Sequence, residues 1–134
     1  MLVRDIMTQN VITVEPSATV SEAAELMRQY DIGILPVVEG ESVVGVITDR
    51  DIVTRGVAQN KMGASVSECM SKSTVYANPT QNVSSAAKTM AAQQIRRVPV
   101  MENGSLCGIL SLSDIVKNGF DVEIANAICE ISKP

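Results

Sequence analysis

Sliding the sequence along itself by 63 residues lays Val3–Val57 over Val66–Phe120 without a gap. About 18 of about 55 positions then hold the same residue. The matches include Met7/Met70, Pro16/Pro79, Val20/Val83, Ala23/Ala86, Ala24/Ala87, Met27/Met90, Ile32/Ile95, Pro36/Pro99, Val37/Val100, Gly45/Gly108, Asp51/Asp114, Ile52/Ile115 and Val53/Val116. A repeat of this kind constrains the architecture strongly, because each copy must take the same local fold and bury what its sibling leaves open. The expected organisation is a first copy at 1–57, a linker at 58–65, a second copy at 66–120, and a C-terminal helix or tail at 121–134.

Each copy reads as β-α-β-β-α. Val11–Val14 reads as a short strand ended by Pro16. Thr19 and Glu22, three residues apart, fit a capping box. Val20, Ala23, Ala24 and Met27 then recur at the spacing of one helix face. Ile34–Val38 and Val43–Ile47 are apolar runs around Glu39-Gly40-Glu41-Ser42, and the second copy has Glu102-Asn103-Gly104-Ser105 there, a hairpin signal. Asp49–Arg55 reads as a short helix stopped by Gly56. The fold class is α/β of the α+β type, with two repeats packed about a pseudo-two-fold axis. A copy of about 55 residues is marginal alone. In the tail, Val122, Ala125, Ile128 and Cys129 have helical spacing.

Composition then removes whole classes of function. The 134 residues contain no His, which excludes a Ser-His-Asp triad, a histidine base and His-ligated metal. The three cysteines are far apart with no C-x-x-C pair, so no zinc site is expected, and Cys69 and Cys107 fall on apolar positions of the repeat. Net charge is −4, with one Phe, two Tyr and no Trp, which argues against nucleic-acid binding. No signal region opens the chain and no apolar run approaches the ~20 residues of a membrane span. A cytoplasmic protein is expected.

Two stretches carry the polar chemistry. In Gly45–Asp51 and Gly108–Asp114 a strand ends on a hydroxyl, and an Asp follows three residues later. Thr48-x-x-Asp51 and Ser111-x-x-Asp114 fit helix-start capping boxes. The same geometry suits a ligand, since a helix start favours anions and a carboxylate accepts from two sugar hydroxyls. The other stretch is Ile32–Val37 with its copy Ile95–Val100. Arg96 and Arg97, adjacent on a strand, point to opposite faces. At least one is expected to face an anion-holding cleft or an acidic partner such as Asp51, unless the strand start is irregular and both stand in water. Gly33 and Ile34 occupy these positions in the first copy, so two sites would differ.

These residues together closely resemble the CBS-domain pair, or Bateman module, over about 120 residues. The resemblance implies a stand-alone two-CBS protein. It also implies adenosine-containing ligands, namely AMP, ADP, ATP or S-adenosylmethionine, in clefts between the two motifs. The family's ribose-binding Asp falls on Asp51 and Asp114, and its hydroxyl positions on Thr48, Ser111 and Ser113. Its adenine-contacting backbone falls on Ile12, Ile32, Gly33 and Ile34, and on Val75, Ile95 and Arg96. Thr8 or Ser71 lines the cleft, and Arg96 or Arg97 takes phosphate. One cleft would join Thr48 and Asp51 with Ile95, Arg96 and Arg97. The other would join Ser111, Ser113 and Asp114 with Thr8, Ile12, Gly33 and Ile34. The first, with its arginines, is expected to prefer phosphate-bearing ligands.

The resemblance further implies a homodimer, with Ile52, Val53, Ile115 and Val116 as contact, and a separate regulated protein partner of unknown identity. The expected role is a regulatory ligand sensor. The alternative is a structural or protein-interaction CBS dimer acting without nucleotide. No catalytic constellation or phosphate loop is present, so an enzyme is not expected, nor a required cofactor, a metal, a membrane or a nucleic acid.

Overall fold

Thr19 opens α2 (Val20–Tyr30), and the capping box forms as its spacing predicts. The Thr19 hydroxyl accepts from the Glu22 N–H, and the Glu22 carboxylate from the Thr19 N–H, both at 3.1 Å. Val20, Ala23 and Met27 make the buried face. The equivalent α5 (Val83–Gln93) buries Val83, Ala86, Ala87 and Met90, and its N-cap Asn82 accepts from Ser84 N–H at 2.8 Å. The structure, a computed structural model, describes residues 1–72, 75–119, 126 and 129–131.

Both predicted hairpins are present. β1 (Ile34–Glu39) pairs antiparallel with β2 (Ser42–Thr48) across Gly40-Glu41, where Gly40 has φ +62°. β3 (Arg97–Glu102) pairs with β4 (Ser105–Ser111) across Asn103-Gly104. There φ is 51° and 80°, and positive φ at both residues is the type I′ pattern that matches strand twist. Each hairpin carries a bulge that leaves Val44, or its copy Cys107, without a register partner. The Cys107 thiol donates to the Val100 carbonyl at 3.3 Å, and burial, aided by the Glu102 carboxylate, raises its pKa.

Two expectations fail locally. Val11–Val14 is not a strand: only Val14 pairs, as a parallel bridge to Val37. Pro16 follows two residues later and cannot donate to a ladder, which keeps the run short. Ala77 makes the same single bridge to Val100. Gly56 does not stop its helix: α3 (Asp49–Asp51) continues as a π-helical segment, Ile52–Val57, that passes through it. A Cβ on Gly56 would meet Met62 Sδ at 2.9 Å and Val20 Cγ1 at 3.0 Å, so this glycine serves close packing.

The chain divides into two compact units, and their limits differ from those of the sequence copies. A contiguous unit spans 11–74, and a split unit joins 1–10 to 75–134. In the contiguous unit, α4 (Val66–Cys69) leads into a strap whose Ser71 exchanges backbone hydrogen bonds with Val46 at 2.8 and 2.9 Å. In the split unit, α1 (Val3–Ile6) leads to Thr8, which exchanges bonds with Ile109 at 2.9 Å each way. So the opening segment of each copy packs on the hairpin of the other copy.

Each unit has its own core. Leu35, Val37 and Ile47 join Val20, Val66 and Cys69 in the contiguous unit. Val98, Val100 and Leu110 join Val3, Met90 and Ile115 in the split unit. Each such burial contributes about 1.5–3 kcal/mol. Ile52 and Ile115 are buried, so they cannot supply an outward contact as expected. Val53 and, on α6 (Leu112–Lys117), Val116 are exposed. Of the tail, Val122, Ala125 and Ile128 lie outside the described residues. Ile131 is buried in the core of the split unit, and Cys129 is exposed. No helix among the described residues is long and apolar enough to cross a membrane.

Candidate ligand-binding site

β2 ends on Thr48, and the chain turns at once into α3. The Thr48 hydroxyl accepts from Asp51 N–H at 3.1 Å, and Thr48 N–H donates to Asp51 Oδ2 at 3.0 Å. Asp49 N–H donates to the Gly33 carbonyl at 2.9 Å, which fixes the residues ahead of β1 beside the helix start. Asp51 is 7% exposed, the one buried polar side chain among the described residues. A buried carboxylate without partners is costly. Here the Ser71 hydroxyl donates to Oδ1 at 3.1 Å and reaches Oδ2 at 3.3 Å. Arg55 Nη1 lies 3.9 Å from Oδ1 and donates to the carbonyls of Met70 at 3.0 Å and Cys69 at 3.3 Å.

The split unit repeats the frame with different fittings. Ser111 Oγ accepts from Asp114 N–H at 3.0 Å, and Ser111 N–H donates to Asp114 Oδ2 at 3.0 Å. Leu112 N–H donates to the Arg96 carbonyl at 2.8 Å, the counterpart of the Asp49–Gly33 bond. Asn118, where the first copy has Arg55, donates its side-chain amide to the Asp114 backbone carbonyl at 2.8 Å. Asp114 is half-buried, while Ser113 and Thr8 are exposed.

The contiguous unit therefore gathers Thr48, Asp51, Ile12, Ile32, Gly33 and Ile34. Ile12 and Ile32 pack against its core and Ile34 is buried at the start of β1. The split unit gathers Thr8, Val75, Ile95, Arg96, Arg97, Ser111, Ser113 and Asp114, with Val75 and Ile95 against its core. Arg96 and Arg97 are not adjacent on a strand as expected. Arg96 is an exposed residue ahead of β3, and its carbonyl makes the contact, while half-buried Arg97 is the first strand residue. The cation that stands beside Asp51 is Arg55, which the sequence reading missed. Its signal was the i,i+4 spacing of acid and base on one helix.

A family model described as CBS domain matches residues 3–57 and 66–121. The chain belongs to the CBS-domain family. This CBS pair is 43% identical to the CBS domain-containing protein YhcV of Bacillus subtilis, over 97% of this chain and 94% of that one. Among solved structures it is similar to Hypoxic Response Protein I with two coordinated zinc ions, at 34% identity and TM-score 0.77, covering 89% and 99% of the two chains. It is similar to the CBS domain pair of protein MJ0100 in complex with 5-methylthioadenosine and S-adenosyl-L-methionine, at 31% identity and TM-score 0.82, covering 88% and 94%. It is also similar to CBSX2 in complex with AMP, at 29% identity and TM-score 0.77, covering 87% and 94%. Among the described residues of this CBS pair, no group of three or more His, Cys, Asp or Glu could hold a metal ion.

Proposed function

We propose that this CBS pair is a regulatory module that senses an adenosine-containing ligand, AMP, ADP, ATP or S-adenosylmethionine. One observation carries the reading. In each copy a strand ends on a hydroxyl that accepts from the N–H of an Asp three residues on, and that Asp's carboxylate accepts from the hydroxyl residue's own N–H, Thr48 with Asp51 and Ser111 with Asp114. A carboxylate fixed in this way can accept from both hydroxyls of a ribose. The adenosine ligands held by two similar CBS proteins support it.

The proposed site residues remain Thr8, Ile12, Ile32, Gly33, Ile34, Thr48, Asp51, Val75, Ile95, Arg96, Arg97, Ser111, Ser113 and Asp114. Arg97, the basic residue at a strand start, is the candidate for phosphate. The ligand would act by shifting an equilibrium between conformations that a separate protein reads, in a homodimer.

Calorimetric titration with AMP, ADP, ATP, S-adenosylmethionine and adenosine tests this, repeated with Asp51→Ala and Asp114→Ala. Saturable binding abolished by at least one of the two substitutions is the expected outcome. No binding of any of the five at millimolar concentration overturns the adenosine reading. A second reading, an interaction protein acting without nucleotide, is favoured by the way Asp51 is satisfied within its own unit, and that null result would leave it standing.

A further inference from the structure

Asp51 and Asp114 are equivalent in sequence but not in what they already hold. A carboxylate offers about four lone-pair directions. To take a vicinal diol it must keep acceptor capacity on the side a ligand approaches. Asp51 Oδ2 accepts from Thr48 N–H, both its oxygens lie within reach of the Ser71 hydroxyl, and Oδ1 faces Arg55. Asp114 Oδ2 accepts from Ser111 N–H, and among the described residues no donor reaches Oδ1. Asp51 is buried, and Asp114 is half-buried.

Two positions create the difference. The counterpart of Ser71 is Thr8, whose hydroxyl makes no hydrogen bond to Asp114 among the described residues. The counterpart of Arg55 is Asn118, which spends its amide on the Asp114 backbone. Arg55 also donates to the carbonyls of Cys69 and Met70, where α4 ends and the strap begins. Asp51, Ser71 and Arg55 thus form one polar knot that ties the strap to the helix after β2.

We infer that the two carboxylates have separate roles. Asp51 is a mooring residue that fastens the strap of its own unit. Asp114 is the carboxylate that takes the vicinal diol of a ribonucleoside ligand, so the chain binds one ligand and not two. The second half rests on the adenosine-sensing reading, and the first half does not. The Asp51 position is then the silent one.

Two measurements on the full chain test the two halves apart. In amide hydrogen exchange, Asp51→Asn and Ser71→Ala should each speed exchange at Ser71 and Val46 about tenfold, a change of about 1.4 kcal/mol. Asp114→Asn should leave Thr8 and Ile109 within about twofold. Equal acceleration at both straps, or none at Ser71, overturns the mooring role. In calorimetry with AMP and S-adenosylmethionine, wild type should bind one ligand per chain, and Asp114→Asn should weaken it at least about tenfold. Thr8→Ser with Asn118→Arg copies the knot onto Asp114 and should weaken binding as much without touching the carboxylate. Ser71→Ala with Arg55→Met frees Asp51 and should raise the stoichiometry to two. Two ligands per wild-type chain, or binding that survives both changes at the Asp114 end, overturns the diol assignment. No heat in wild type removes the adenosine reading and the diol assignment together, and the exchange rates still decide the mooring role.

Discussion

A Cβ on Gly45 would lie 2.7 Å from the Ser71 carbonyl oxygen and 3.0 Å from Met70 Sδ, and one on Gly108 would lie 2.9 Å from the Thr8 carbonyl and 2.7 Å from Met7 Sδ. Each glycine is the point where a strap crosses a strand, and a backbone oxygen cannot swing aside as a side chain can. Gly45→Ala and Gly108→Ala are expected to destabilise by about 1–3 kcal/mol, as overpacking does, in urea denaturation. A change under about 0.5 kcal/mol in both would show that the straps yield. Gly56→Ala should cost less, because the atoms it meets end side chains and alanine favours a helix by about 1 kcal/mol. At this scale the sequence is legible where partners lie three residues apart. Thr48 with Asp51 and Ser111 with Asp114 are read from spacing alone. Ser71 and Asp51 are 20 residues apart, and no local pattern announces that a hydroxyl from one copy will satisfy the carboxylate of the other.

Local chemistry also explains which elements were foreseeable. The Thr19 capping box and the two hairpin turns depend on neighbours within four residues, and all three form as expected. Thr19→Ala should cost about 1 kcal/mol by urea denaturation, since it strands an N–H at the start of α2. A loss below about 0.3 kcal/mol would mean that packing of Val20, Ala23 and Met27 holds that end by itself. The Val11–Val14 strand failed because an apolar run supplies side chains, while a strand also needs a partner ladder, and only Val14 finds one. The helix end at Gly56 failed because glycine is both a terminator and a close-packing residue. Which role it takes depends on Met62 and Val20, one of them on a different element.

Over the whole molecule, self-similarity reports ancestry of segments and not their contacts, so the exchange of straps between copies was illegible. Outward faces are another matter of the whole. Val53 and Val57, four residues apart, are 60% and 61% exposed, and Val116 is 46% exposed. The resemblance implies that such helix faces meet in a homodimer, a twofold contact of the commonest kind. Val53→Lys with Val57→Lys is expected to shift sedimentation from dimer to monomer, and an unchanged profile would place the contact elsewhere. The exchanged straps also set an order of events during synthesis. Residues 11–74 form a contiguous unit, complete as soon as residue 74 is made. Val3 and Ile6 are synthesised well before Leu110 and Ile115, whose core they enter. At about 5–20 residues per second, roughly 5–20 s separate the two ends. The segment that carries Val3 and Ile6 therefore waits for the far end of its unit, and until then these two apolar side chains stay open to a chaperone or a protease.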